Sequence, residues 1–304
     1  MSMLLHVYSS VLAMLLPVFA CAGVGAEWAR RKLAYPGTFV SALVTSVAVP
    51  ALVFNTLTTT RLENKTLLTV VLAAAAGIAV MAALSAVMLR LRGLPVRTLV
   101  PTCTFPNAGN LGLPLSQFAF GDAGLSVAVT FFAVCSFMQH TAGVYLLTSS
   151  SGGKGALRSP VILVVLLAVA LRAAGIMPPA WLLDTSRLLG ALTVPLMLIS
   201  LGHTLMSINF GNVTAGLYVG MTRLVAGVAG GTLVVKALNL PPEIAGVTLF
   251  QMMMPVAVVS YMYAQRFTDH AETSAGAVLS STIAFLLLCP LALWYAGVPF
   301  GALG

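Results

Sequence analysis

Acidic side chains are nearly absent from this chain. Seven Asp and Glu stand against fifteen Lys and Arg in 304 residues, and charged residues of both signs make up 7% of the sequence. Soluble domains carry about 25%, so no water-facing domain surface is available. The seven acids, Glu27, Glu63, Asp122, Asp184, Glu243, Asp269 and Glu272, fall at connections or at the ends of apolar stretches. The buried carboxylates of a cation–proton antiporter are therefore missing, and so is the Asp pair an intramembrane enzyme needs. Cysteine is scarce as well. Cys21, Cys103, Cys135 and Cys289 stand singly in apolar segments, without CxxC or metal-ligand spacing. His6, His140, His203 and His270 are too scattered to complete a catalytic or metal cluster. The chain is therefore not expected to be an enzyme, and no cofactor or metal is expected.

What remains is apolar. Hydrophobic residues make up 59% of the chain, and the mean hydropathy is +1.02. An all-α polytopic membrane protein follows, with the lipid bilayer as its surroundings. The formal charge of +8 is the basic bias of cytoplasmic loops and does not point to nucleic acid. Stretches of about 20 apolar residues start near Leu5, Pro36, Thr66, Arg97, Gly121, Ser159, Asp184, Asn212, Pro242 and Ala271, which predicts ten spans. Met1 to about Gly23 reads as the first span and not as a cleaved leader, because it lacks a basic start.

With the N-terminus outside, the inner connections hold Arg30, Arg31, Lys32, Arg90, Arg92, Arg97, Lys154, Arg158 and Arg266. The outer ones hold Arg61, Lys65, Arg172, Arg187 and Lys236. Nine against five places both termini outside and the Gly152–Lys154 loop in the cytoplasm.

The chain also repeats itself weakly. Ala48-Val-Pro50 in the second stretch matches Thr193-Val-Pro195 in the seventh, and Pro106 in the fourth matches Pro255 in the ninth. Two five-span repeats, 1–150 and 151–304, are predicted. Five is odd, so the second repeat enters the membrane inverted relative to the first. Paired broken helices in inverted repeats place a substrate site near the bilayer midplane.

The fourth stretch is the most informative. Pro101-Thr-Cys-Thr-Phe-Pro-Asn-Ala-Gly-Asn-Leu-Gly-Leu-Pro-Leu115 carries three prolines, two asparagines and two glycines where a lipid-spanning helix should be smooth. Each proline lacks an N–H and frees a carbonyl one turn back. Unpaired backbone groups are tolerated at membrane depth only inside protein or beside a watery cavity.

The segment Phe105-Pro-Asn-Ala-Gly-Asn-Leu-Gly-Leu-Pro114 resembles the fourth-span signature of the auxin efflux carrier family, which takes in plant PIN-type carriers and bacterial malate or malonate permeases. Val49-Pro-Ala-Leu-Val-Phe54, Thr141-Ala-Gly143, Met254-Pro-Val-Ala257, Ala264-Gln-Arg-Phe-Thr-Asp269, and Ser280-Ser-Thr282 leading to Pro290 match in the same order. The resemblance implies ten helices in a bile-acid-symporter-like fold, with spans four and nine crossing as broken helices. A scaffold part and a transport part would move against each other. The long central loop of the larger plant carriers is missing here, as in a short bacterial member of the inner membrane.

The candidate substrate-binding residues are Pro106, Asn107, Gly109 and Asn110 at the first break, Gln251, Met254 and Pro255 at the second, and Asn55 in the second stretch. A primary amide offers two donors and an acceptor without charge. The N-terminal end of the half-helix after a break favours an anion. The plainer alternative is that the asparagines satisfy the broken backbone. Arg223 lies halfway along the eighth stretch. A mid-membrane arginine needs a partner or water; it either counters the substrate's charge, binds carbonyls or snorkels. His140 and His203 are packed groups or proton relays.

The expected function is a secondary transporter of small organic anions, carboxylates above all, working by alternating access. A sodium-coupled bile-acid-type symporter is the alternative within transport. An intramembrane enzyme or a receptor is the alternative outside it. Coupling to Na+ or H+ and assembly as a homodimer are left open.

Overall fold

A computed structural model describes residues 2–148, 160–207 and 213–298. The Gly152–Lys154 loop and the last residues of the chain lie outside the described residues, as do 208–212. The described chain is helical. Its elements are α1 (Ser2–Arg30), α2 (Gly37–Leu43), α3 (Val49–Thr59), α4 (Asn64–Leu91), α5 (Val96–Thr104), α6 (Leu113–Met138), α7 (Val144–Thr148), α8 (Pro160–Ala173), α9 (Ala180–Gly190), α10 (Thr193–Ser207), α11 (Val213–Ala237), α12 (Pro242–Met253), α13 (Val258–Phe267) and α14 (Ala271–Tyr295). Single π-turns join α2 to α3 (Val44–Ala48), lead into α6 (Ala108–Gly112) and join α6 to α7 (Gln139–Gly143).

Among the described residues, six helical stretches are long and apolar enough to cross a membrane: Gly37–Thr59, Asn64–Leu91, Ala108–Thr148, Ala180–Met206, Thr214–Ala237 and Ala271–Tyr295. Pro160–Ala173 and Ile244–Met253 are shorter apolar helices. Six is fewer than the ten expected stretches; Ser2–Arg30 is not among the six, and part of the difference is local. The fourth and ninth stretches are broken at Phe105–Asn107 and Met254–Ala257, so their pieces are short. Gly121, at φ 66° and ψ −160°, interrupts α6, so one long element holds the end of the fourth stretch and the start of the fifth. The seventh stretch starts at Ala180 and not at Asp184. Pro179 holds the entry extended (φ −63°, ψ 149°) and releases the helix one residue later, so Asp184 falls inside the helix.

Helix ends follow the polar punctuation. α4 stops where Gly93, at φ 63°, turns left-handed and its N–H reaches the Arg90 carbonyl at 3.0 Å. Near the end of α1, Arg30 and Arg31 donate to Glu27 at 2.7 and 2.6 Å. Those hydrogen bonds hold the exposed Glu27 carboxyl down at about 2. Such exposed pairs add little to stability.

The helices pack in two groups. α1 lies along α10, and α3 lies against α8 and α9. In the other group α11 packs on α14, α4 and α12, while α4 also meets α5 and α6. Each half of the chain contributes its first elements to one group and its later elements to the other. Two apolar cores run between the groups, each drawing on both. Val53, Ile78 and Phe131 belong to one, and Leu99, Leu111, Phe250 and Val278 to the second.

The two breaks meet. Pro106 and Val256 form an antiparallel bridge. The Asn107 N–H donates to the Pro255 carbonyl at 2.8 Å, and the Ala257 N–H donates to the Phe105 carbonyl at 3.2 Å. Val256 donates to Ser281 Oγ at 3.0 Å. The backbone that the prolines remove from helix is thus paired between breaks, which is what burial demands.

Candidate functional site

Four helix ends converge on this junction. α5 and α12 arrive with their C-terminal carbonyls. The segments that leave, Ala108 onward and Val258 onward, begin with N–H groups that have no partner inside a helix. C-terminal ends carry partial negative charge and N-terminal ends partial positive charge. The junction therefore has two electrostatic faces.

Arg223 stands on the carbonyl face and is fully buried. Its Nε donates to the Met254 carbonyl at 3.1 Å. Nη1 donates to the carbonyls of Thr104 at 2.9 Å and Cys103 at 3.3 Å, and it reaches Met81 Sδ at 3.0 Å. Nη2 donates to the Met252 carbonyl. Among the described residues, the ion pairs do not include Arg223. Of the readings the sequence allowed for this residue, carbonyl binding is the contact observed. The side chain is not part of either cavity wall described next.

On the N–H face lies a junction cavity of about 820 Å³. Pro106, Asn107, Gly109 and Asn110 line it from one break, with Ala257 and Val258 from the other. Asn107 is 3% exposed, and its Nδ2 has no hydrogen-bond partner. A buried amide donor left unpaired is costly; the residue lines the cavity, while the Nδ2 atom itself is covered. A Cβ at Gly109 would stand 2.9 Å from the Phe132 ring, so a side chain there would force the ring to shift. Facing walls come from the other helix group: Tyr35, Val49, Met197 and Ser200. Tyr35 donates to or accepts from Ser200 Oγ at 2.7 Å and stacks on His203 with centroids 4.1 Å apart. His140 meets the Ser136 carbonyl through Nδ1 at 2.7 Å and faces the Tyr263 edge-on. Both histidines border the cavity, and among the described residues no acid does.

A second cavity of about 860 Å³ lies between the same helix groups at their other end. Asn55 borders it, along with Arg61, Asp122 and Arg187. Asn55 Nδ2 donates to the Leu183 carbonyl at 3.0 Å and to Ser186 Oγ at 3.2 Å, which ties α3 to α9. Arg187 is paired with Asp184 at 2.8 Å. The partition between the cavities is thin. On α3, Val49 lines the junction cavity and Leu52 the second; on α10, Met197 and Pro195 divide in the same way. Three residues of helix rise only about 4.5 Å.

The structure brings Pro106, Asn107, Gly109 and Asn110 together at one wall and leaves Asn55 elsewhere. Gln251, Met254 and Pro255 support the junction from behind. Pro255 accepts from Asn107, and Met254 from Arg223. Gln251 is buried, donates to Ser116 Oγ at 3.0 Å and leaves its Oε1 unpaired. It fits because Gly112 has no Cβ to strike it. Tyr35, Ser200, Phe132 and Met197 were not singled out by the sequence. They carry no local motif, and only the packing of the two groups delivers them to the cavity.

No individual curated protein matches the chain. Residues 10–157 and 150–295 match the model of a family described as membrane transport protein. The match spans most of the chain, and the apolar helices make it a multi-pass membrane protein. The chain belongs to that membrane transport family, the auxin efflux carrier or PIN-like family.

Proposed function

We propose that the protein is a secondary carrier of small organic anions, carboxylates above all, working by alternating access. The chain makes ten spans in two inverted repeats, 1–150 and 151–304, and spans four and nine cross as broken helices. The observation that carries the reading is Asn107, a residue of the cavity wall whose buried Nδ2 has no partner, flanked by the N-terminal ends that leave both breaks. Those ends and that donor suit a carboxylate. Phe132, Met197 and Val49 suit an apolar body on the same molecule.

The two cavities support alternating access. Each lies between the same helix groups, at opposite ends, with a thin partition between them. A modest slide of the group holding the breaks against the other would transfer a bound anion from one opening to the other. The basic asymmetry supports both termini outside, which makes the junction cavity the one that opens to the cytoplasm. A negative interior then drives a monoanion outward by about 2.3 kcal/mol per 100 mV.

The test uses right-side-out and inside-out vesicles with labelled malate, malonate and indole-3-acetate, each with and without sodium. Saturable transport of at least one acid, lost for its primary amide, is the expected result. Transport that ignores the charge of the solute would overturn the reading.

A further inference from the structure

The carbonyl face of the junction has the makings of a cation site. Cys103 and Thr104 end α5, and Met252 and Met254 end α12; all four turn their carbonyl oxygens to one point. Each helix C-terminus contributes about −0.5 charge, so the two together offset one positive charge. Half-helix C-termini and unwound carbonyls are what hold coupling cations in broken-helix carriers. Here the point is filled by the guanidinium of Arg223, which is fully buried. Space for it is left by Gly227, one turn further along α11, where a Cβ would stand 3.1 Å from Nη2. With no carboxylate paired to Arg223 among the described residues, the helix ends themselves are its counter-charge.

We propose that Arg223 is a tethered cation occupying a cation-binding site that the fold builds between the C-terminal ends of α5 and α12, and that the emptied site takes up a free guanidinium ion. The side chain fixes the two broken helices as one body and keeps their N-terminal ends aimed at the junction cavity. It is a positioning residue, separated from the transported anion by the paired breaks. Because the occupant is covalent, this site needs no dissolved ion to be filled. The transport arm of the test rests on the carrier reading given above; the binding arm does not.

The experiment measures thermal unfolding of purified wild type and Arg223→Ala with millimolar methylguanidinium chloride, using tetramethylammonium chloride at equal ionic strength as the control. Arg223→Ala is expected to melt lower than wild type and to be raised by methylguanidinium alone; wild type is expected not to respond. A folded Arg223→Ala protein indifferent to methylguanidinium overturns the proposal. If the alanine variant does not fold, Arg223→Lys and Arg223→Met decide. The lysine variant keeps the charge and is expected to keep transport, while methionine loses it by roughly tenfold or more. Equal behaviour of the two overturns the proposal. Rescue of melting without carboxylate transport would refute only the carrier reading, and transport without rescue would refute only the tethered cation.

Discussion

The two faces of the junction are built from the same backbone event and end differently. Where α5 and α12 arrive, the freed carbonyls are taken up by a buried arginine, and the face is closed. Where the helices leave, Asn107 Nδ2 has no partner and the wall opens on about 820 Å³. One face satisfies its backbone internally, and the other holds a side-chain donor with no partner among the described residues. A break in a membrane helix is therefore not in itself a binding site. On the proposed reading it becomes one on the side where the protein supplies no partner of its own.

Breaking the closed face should have the largest effect. Arg223→Met strands carbonyls that are buried, at about 1–3 kcal/mol for each left unpaired. Thermal unfolding of the detergent-purified variant should show a large loss that added carboxylate does not abolish. A wild-type melting temperature would mean that the carbonyls find other partners.

Crowding the open face comes next. Gly109→Ala puts a Cβ at 2.9 Å from the Phe132 ring, which also lines the cavity. Overpacking costs about 1–3 kcal/mol. If the ring moves into the cavity, affinity for the transported acid falls roughly tenfold. Undiminished affinity, read by scintillation proximity, would put the anion away from this wall.

The smallest effect sharpens the contrast from outside. Asn55→Ala removes two hydrogen bonds to α9, worth about 0.5–1.5 kcal/mol each. Stability should drop modestly while affinity is unchanged, because Asn55 borders the other cavity. A fall in affinity to match an Asn107 variant would merge the two cavities into one site.

The sequence made the breaks legible because proline has a fixed backbone consequence wherever it stands. Pro106 and Pro255 marked both, and Asn107 beside the first marked its donor. Arg223 was legible as an oddity, but its partners were not, since carbonyl oxygens belong to every residue and leave no trace in composition. Asn55 shows the converse. A polar residue in an apolar stretch signals an interior position, but not which interior. The Tyr35–His203 stack was invisible for a related reason: its members come from α10 and the turn before α2, which only tertiary packing brings together. α9 starts at Ala180, four residues before the expected start near Asp184, because Pro179 ends the extended entry and releases the helix there.

The central claim is that the open face binds a carboxylate through Asn107. Calorimetry of the best-transported acid with wild type and Asn107→Ala tests it most directly, with melting temperature measured alongside. On this claim the amide removed would donate one hydrogen bond to a charged ligand, worth about 1.5–3 kcal/mol, so affinity should fall roughly ten- to a hundredfold while the fold is kept. Wild-type affinity in a well-folded Asn107→Ala protein would contradict the claim and leave this asparagine as a partner of the broken backbone alone.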